Sequence, residues 1–93
     1  MKKKKSVALK DLLAEFFELP KDIMLDLPRL VLIGNLQLIL ENHRGIIEYS
    51  NEKVRIAVSN GEVIVKGSKL QIRGLFTDEL SIEGYIETVK YED

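Results

Sequence analysis

Three glutamates near the end of the chain have a spacing that could support acid–base chemistry. Glu79, Glu83 and Glu87 occupy every fourth position of a segment whose alternating apolar residues predict a strand, so they lie on one face of it. Pairs of carboxylates hydrolyse glycosidic bonds in many enzymes. The competing interpretation is a solvated outer face, and a chain of 93 residues rarely forms the deep cleft that a glycosidase needs. We favour the solvated face and predict no catalytic residue in this segment.

The single histidine lies in the string Glu41-Asn42-His43-Arg44-Gly45, where the asparagine and the glycine suit a turn between two strands. A metal site needs several converging ligands, and the chain has no cysteine and no second histidine. We therefore expect neither a metal nor a cofactor. Asn42, His43 and Arg44 are instead candidates for contact with a protein partner. The nucleophile, phosphate-loop, dinucleotide and zinc-protease motifs are absent as well, so we predict that the protein is not an enzyme.

Charge is distributed unevenly along the chain. The first ten residues hold five lysines and no acid, whereas the other positions hold 9 basic residues, the total of 14 less those five, and all 15 acidic ones. The lysine run predicts a flexible basic tail over 1–6, because like charges repel and stay solvated. The acidic remainder argues against nucleic acid as a partner. The absence of cysteine fits a reducing cytoplasm.

Positions 7–18 have the spacing of an amphipathic helix, which Pro20 ends. Its apolar residues follow the i, i+3, i+4, i+7, i+8 pattern and are Leu9, Leu12, Leu13, Phe16 and Phe17. This face either caps the sheet or inserts into an anionic membrane beside the lysines, each of which could contribute about 1 kcal/mol. We favour the cap, because a small sheet must cover its apolar face. The candidate membrane contacts are Lys2, Lys3, Lys4, Lys5, Leu9, Leu13, Phe16 and Phe17.

Neither a secretory signal nor a membrane-spanning segment is expected. Charged residues interrupt the apolar positions of the first twenty residues, and no stretch is long enough to cross a bilayer.

After Pro28 the apolar period changes to two, and turn residues recur every seven to ten positions, which is typical of consecutive short strands. The predicted strands are 29–33, 36–42, 46–50, 53–59, 62–66, 69–76 and 79–91. Asn60-Gly61 is the strongest predicted turn, and Gly67-Ser68 is another. A change of phase in the last strand predicts a β-bulge near Glu87-Thr88.

The first of these strands is apolar on both faces over 30–33, which predicts a central strand covered on one side by the helix. The whole pattern predicts a single domain over 1–93, mainly β, with one N-terminal amphipathic α-helix at 7–18 and a β region at 29–91. We expect an antiparallel hairpin meander that forms a roll or sandwich, with a solenoid-like stacked sheet as the alternative.

The string Leu19-Pro20-Lys21-Asp22-Ile23-Met24-Leu25-Asp26-Leu27-Pro28-Arg29, with the later Glu-Asn-His-Arg-Gly string, resembles the YabP/YqfC family of sporulation proteins. The resemblance runs through the β region to Val89-Lys90-Tyr91. It implies a role in endospore formation, in the mother-cell cytoplasm of a spore-forming bacterium, with no known catalytic activity. It also implies partnership with the membrane protein YqfD, and it supplies no active-site residues to carry over.

Together these observations favour a non-catalytic structural or adaptor protein that acts through protein contacts, with self-association as a further expectation because an open meander leaves strand edges unpaired. The alternatives are a membrane-surface module that uses the tail and the helix, and a small cell-wall hydrolase that uses the three glutamates.

Overall fold

Six β-strands account for most of residues 26–93, the part of the chain that the computed structural model describes. The strands are β1 (Arg29–Ile33), β2 (Gln37–Glu41), β3 (Gly45–Tyr49), β4 (Lys53–Val58), β5 (Gly61–Leu75) and β6 (Glu79–Glu92). They form one antiparallel sheet in the order β1-β2-β6-β5-β4-β3. The predicted mainly β, antiparallel architecture is therefore confirmed. The predicted tail at 1–6 and helix at 7–18 lie outside the described residues.

Strand β5 is a single strand of 15 residues, where the sequence predicts two strands joined by a turn at Gly67-Ser68. The predicted turn is wrong. A Cβ atom at position 67 would clash with the backbone carbonyl of Tyr85 on β6. Glycine is therefore used here for the close approach of two strands and not for a change of chain direction.

The predicted turn at Asn60-Gly61 is displaced by one residue. Val58 pairs with Gly61, so the two loop residues are 59 and 60. A Cβ atom on Gly61 would meet the carbonyl of Glu92 at the end of β6. This glycine also marks a close backbone approach, which a sequence pattern cannot distinguish from a turn.

The hairpin formed by β5 and β6 contains several irregularities in its register. Lys66 pairs with Thr88 and Gly67 pairs with Ile86, which leaves Glu87 as the extra residue and confirms the predicted bulge. Further shifts occur between 68 and 71 and between 72 and 74 of β5. Bulges bend strands and increase their twist, so this hairpin is strongly curved.

The curvature brings distant parts of the sheet together. The amide of His43 donates to the carbonyl of Asp78, beside the tip of the β5–β6 hairpin (3.1 Å), and the amide of Arg44 donates to the carbonyl of Ala57 on β4 (2.7 Å). Ala57 pairs with Glu62 at the other end of β5. If β5 were flat, the hairpin tip and the end of β5 near Glu62 would lie about 40 Å apart, at roughly 3.3 Å per residue. The sheet therefore curls back on itself.

The inner face of the curled sheet holds the hydrophobic core. The alternation that the sequence shows over β4 is observed directly, since every second residue of that strand is buried. Burial of each such side chain contributes about 1.5–3 kcal/mol before entropy costs. The core residues are Leu38, Leu40, Val54, Ile56, Val58, Val63, Val65, Leu70, Leu80, Ile82 and Ile86.

Strand β1 does not lie at the centre of the sheet, and that prediction is wrong. It is an edge strand that pairs only with β2. Its Leu30, Leu32 and Ile33 side chains are 36%, 48% and 51% exposed. An apolar pattern on both faces predicts burial on both faces. Among residues 26–93, however, β1 has no neighbouring strand on its outer side, and its side chains stay partly exposed.

Among residues 26–93 there is no helix with the length and apolar character needed to cross a membrane.

Candidate interaction surface

Two short segments that are far apart in the sequence, 26–29 and 41–45, lie against each other, and we call this cluster the corner. The Arg29 guanidinium donates to both carboxylate oxygens of Glu41, at 3.2 and 3.3 Å. The pairing follows from the β1–β2 register, in which these two residues are opposite each other. Both side chains are well exposed to water, so the pair contributes at most about 1 kcal/mol.

Asn42 and Arg44 join the same two segments. The Asn42 side-chain amide donates to the carbonyl of Leu27 at 3.0 Å, and Arg44 forms an ion pair with Asp26. Asn42 has a φ of 67°, a left-handed conformation that asparagine adopts more readily than most residues. Both side chains thus make contacts within the chain at the corner.

His43 lies inside the corner and is only 6% exposed. Its Nδ1 accepts a hydrogen bond from the amide of Gly45 (3.0 Å), and its Nε2 lies 3.2 Å from the carbonyl oxygen of Phe76. A ring nitrogen that accepts carries no hydrogen, so the hydrogen is on Nε2 and is donated to Phe76. A neutral imidazole with both nitrogens bonded to the backbone fixes the corner to the tip of the β5–β6 hairpin.

The three candidate contact residues therefore differ in their surroundings. His43 is buried, Asn42 is partly buried and Arg44 is exposed. Of the three, only Arg44 presents a large charged group to solvent, and it does so while paired with Asp26. The Glu-Asn-His-Arg-Gly string thus forms the corner through contacts within the chain, and little of it is exposed to solvent.

The glutamates that could support hydrolysis differ in their surroundings. Glu79 and Glu83 are four residues apart on β6, so their Cα atoms are separated by about 13 Å at 3.3 Å per residue. Glu83 forms an ion pair with Arg73 at 3.4 Å, and Glu87 is exposed in the bulge. Within residues 26–93 no three acidic, histidine or cysteine side chains are grouped so as to hold a metal ion.

The two outer edges of the sheet are built very differently. Strand β3 is interrupted by a register shift between Ile46 and Glu48, which leaves Ile47 as the extra residue. Glu48 adds charge there through ion pairs with Arg55 (3.3 Å) and Lys53 (3.9 Å). Bulges and charges are the usual means by which sheets prevent edge-to-edge association. The β3 edge is therefore protected.

The β1 edge has no bulge, and its one charged residue, Arg29, lies at its first position and is paired with Glu41. All five of its residues pair with β2 in one unbroken register. Leu30 and Leu32 pair with buried residues of β2 and so point toward the inner face, while Val31 and Ile33 point to the outer face. The strand is thus apolar on both faces, regular, and unpaired along its outer side among the described residues.

An open groove of about 660 Å³ extends the apolar surface from β1 toward β6. Ile33, Leu36 and Tyr85 supply its apolar lining, and the Lys69 ammonium lies 6.0 Å from the centre of the Tyr85 ring. Leu36 and Tyr85 are more than half exposed. Ile33 is the one β1 residue in the lining, and the other lining residues belong to the β1–β2 turn, β2, β5 and β6.

Sequence reasoning missed this edge because it assigned 30–33 to the centre of the sheet. One signal could have found it. The first strand of a meander has a single sequence neighbour, so it lies at an edge unless a later strand returns to it.

Two comparisons with known proteins each match most of the chain. A sequence model of the YabP family matches residues 26–93. The chain is 36% identical over 83 residues to a Bacillus subtilis (strain 168) protein described as "Uncharacterized protein YqfC", with 89% of each chain covered. The family match begins at Asp26, which is the first residue of the corner.

Proposed function

The chain belongs to the YabP family, and from that premise we propose that it is a non-catalytic structural or adaptor protein of endospore formation, which acts through protein contacts at its β1 edge. The sporulation role rests on the resemblance to the YabP/YqfC sporulation proteins. The contact role rests on the structure of the edge itself.

The unprotected β1 edge is the observation that carries this proposal. An edge strand presents a row of backbone donors and acceptors, and proteins normally disable that row where it has no use. This chain disables it at β3 with the Ile47 bulge and with Glu48, whereas β1 keeps an unbroken register with no strand on its outer side among residues 26–93. The contrast within one small sheet supports a use for the β1 edge.

Binding at such an edge occurs by addition of a further strand to the sheet. An added strand satisfies the free backbone groups, and its side chains pack against those of the edge strand on both faces. The half-exposed Leu32 and Ile33 would gain burial from such a strand.

A pair of matched substitutions tests the proposal in a spore-forming bacterium whose own copy of the gene is replaced. Leu32→Lys places a charge on the β1 edge, and Ile47→Lys places the same charge on the β3 edge. Both side chains are 48% exposed in the parent protein, so the two changes remove similar amounts of buried apolar surface. The readout is the number of heat-resistant spores.

We expect Leu32→Lys to lower the spore number well below that of the parent, because the charge weakens the contact at β1, and Ile47→Lys to leave it close to that of the parent. Circular dichroism of the purified variants must show the parent fold. Equal spore numbers for Leu32→Lys and the parent would refute the contact role of β1.

A further inference from the structure

We propose that the occupant of the β1 edge is the β1 strand of a second copy of this chain, paired antiparallel about a two-fold axis so that two six-stranded sheets become one. This inference rests on the proposed function, since it names the partner of the same edge. The inference goes beyond the proposed function because it specifies the partner's identity, orientation and register.

The β1 edge fits an added strand better than an added helix. A helix packed on the inner face would cover Leu30 and Leu32 but would leave Val31 and Ile33, and the free backbone groups of the edge, in water. A strand laid alongside β1 satisfies the backbone and contacts the side chains of both faces at once. Because β1 is apolar on both faces, the strand that matches it is also apolar on both faces.

Among the described strands, β1 is the one that meets this requirement. The opposite edge, β3, has the Ile47 bulge and the charged Glu48, which interrupt a regular ladder. A contact of β1 with β3 of another copy would also be head-to-tail and would produce open chains of molecules. A β1–β1 contact is self-complementary and closes with two copies.

The charges of β1 permit the antiparallel arrangement. With Val31 on the two-fold axis, Leu30 of one copy lies opposite Leu32 of the other, and both point toward the inner face. The two Arg29 side chains then lie at opposite ends of the ladder, roughly 13 Å apart at 3.3 Å per residue and beyond the Debye length of about 8 Å at physiological salt. Each is also paired with its own Glu41.

The contact is small, so it should be reversible. A ladder of five residues falls below the size of a standard stable interface, about 1,200–2,000 Å². We expect a monomer–dimer equilibrium that depends on concentration, and no permanent dimer.

The first test measures the mass of the full-length protein by sedimentation equilibrium over a series of concentrations. We expect dimers in the parent and in Ile47→Lys, and a dissociation constant at least about tenfold higher in Leu32→Lys, since about 1.4 kcal/mol of lost contact energy is a factor of ten. Monomer at every concentration of the parent, or a continuous series of larger species, would overturn the proposal.

The second test uses the absence of cysteine from the chain. On the two-fold axis the two copies of position 31 face each other with Cα atoms about 4.5–5.5 Å apart, within the range of about 4.4–6.8 Å that a disulfide bridges. Val31→Cys should therefore give a covalent dimer under mild oxidation, in which two thiols lose two electrons and two protons to the oxidant. Ile47→Cys is the control and should form no covalent dimer. Equal dimer yields from the two variants would contradict the assigned register.

The dimer and the proposed function can fail separately. If the parent is a monomer and Val31→Cys gives no covalent dimer, while Leu32→Lys still lowers the spore number, the edge binds a strand of a different protein, and only the dimer is wrong. If Leu32→Lys abolishes the dimer but leaves the spore number unchanged, the dimer exists and the proposed role of the edge is wrong.

Discussion

The imidazole of His43 lies 3.2 Å from the backbone carbonyl oxygen of Phe76, although the two residues are 33 positions apart in the chain. This hydrogen bond joins the loop between β2 and β3 to the tip of the β5–β6 hairpin. The same ring accepts a hydrogen bond from the amide of Gly45. One buried side chain thus holds together the two parts of the sheet that its curvature brings close.

Removal of the His43 ring should destabilise the protein. His43→Ala leaves the Gly45 amide and the Phe76 carbonyl without their partner, at a cost of roughly 1–3 kcal/mol. His43→Asn can restore the acceptor and His43→Gln the donor, so each should lose less. Urea unfolding followed by circular dichroism measures the three midpoints. An alanine variant as stable as the parent would show that these two bonds do not stabilise the corner.

Gly67 should not tolerate even a methyl group. A Cβ atom there would clash with the carbonyl of Tyr85 on the facing strand, so Gly67→Ala must separate β5 from β6 at the bulge. We expect a loss of roughly 2–4 kcal/mol, in the range of severe single substitutions. Thermal unfolding of the purified variant measures it.

Gly74→Ala is the matched control for that substitution, since it lies on the same strand. A Cβ at position 74 has its nearest neighbours at 3.5 and 3.8 Å, both side-chain atoms, which is ordinary contact. We expect its stability to stay within about 1 kcal/mol of the parent. Equal losses from the two alanines would mean that the strands do not approach closely at position 67.

Stability should fall in acid partly because of Glu62. The hydrogen bonds that the Arg55 guanidinium donates (2.6 and 2.9 Å) lower the pKa of the Glu62 carboxyl below its ordinary value of 4.5. A carboxyl with a lowered folded-state pKa stabilises the protein above its unfolded pKa and loses that contribution as the pH falls through the folded value. The contribution is thus complete above about pH 4.5 and is lost below it.

Glu62→Gln should flatten the dependence of the urea midpoint on pH in that acid range. Glu87→Gln is the control, because Glu87 is an exposed carboxylate of the same hairpin with no ion pair among residues 26–93. An unchanged acid slope in Glu62→Gln would show that the bond to Arg55 does not lower the pKa of this carboxyl.

Function should survive the loss of the three candidate carboxylates. Glu83 is paired with Arg73 and Glu87 is exposed in the bulge, so we expect that changing Glu79, Glu83 and Glu87 to glutamine leaves the spore number unchanged. A triple variant that is folded, fails to support sporulation and has lost a peptidoglycan-digesting activity of the parent would establish the hydrolase instead.

Local patterns in the sequence were sufficient to predict most of the strands. Alternation identified β4 because Val54, Ile56 and Val58 face the core while their neighbours face water. A phase change located the bulge at Glu87. Both features depend on residues close together in the chain, and the period of two carries that information.

The rest depends on contacts between distant residues. Gly67-Ser68 is a residue pair typical of turns, and only the close approach of Gly67 to Tyr85 shows why a glycine is needed there. The pairing of Arg29 with Glu41 and the bond of His43 to Phe76 depend on register and curvature, which local patterns do not specify. The edge position of β1 depends on the topology of the sheet, that is, on whether a later strand pairs with the outer side of β1.

The most direct measurement places a photo-crosslinking amino acid at position 32 or at position 47 of the full-length protein in sporulating cells. We expect a crosslinked protein product from position 32 on the β1 edge and none from position 47 on the protected β3 edge. A product from position 47 alone, or none from position 32 in cells that form normal spores, would contradict it.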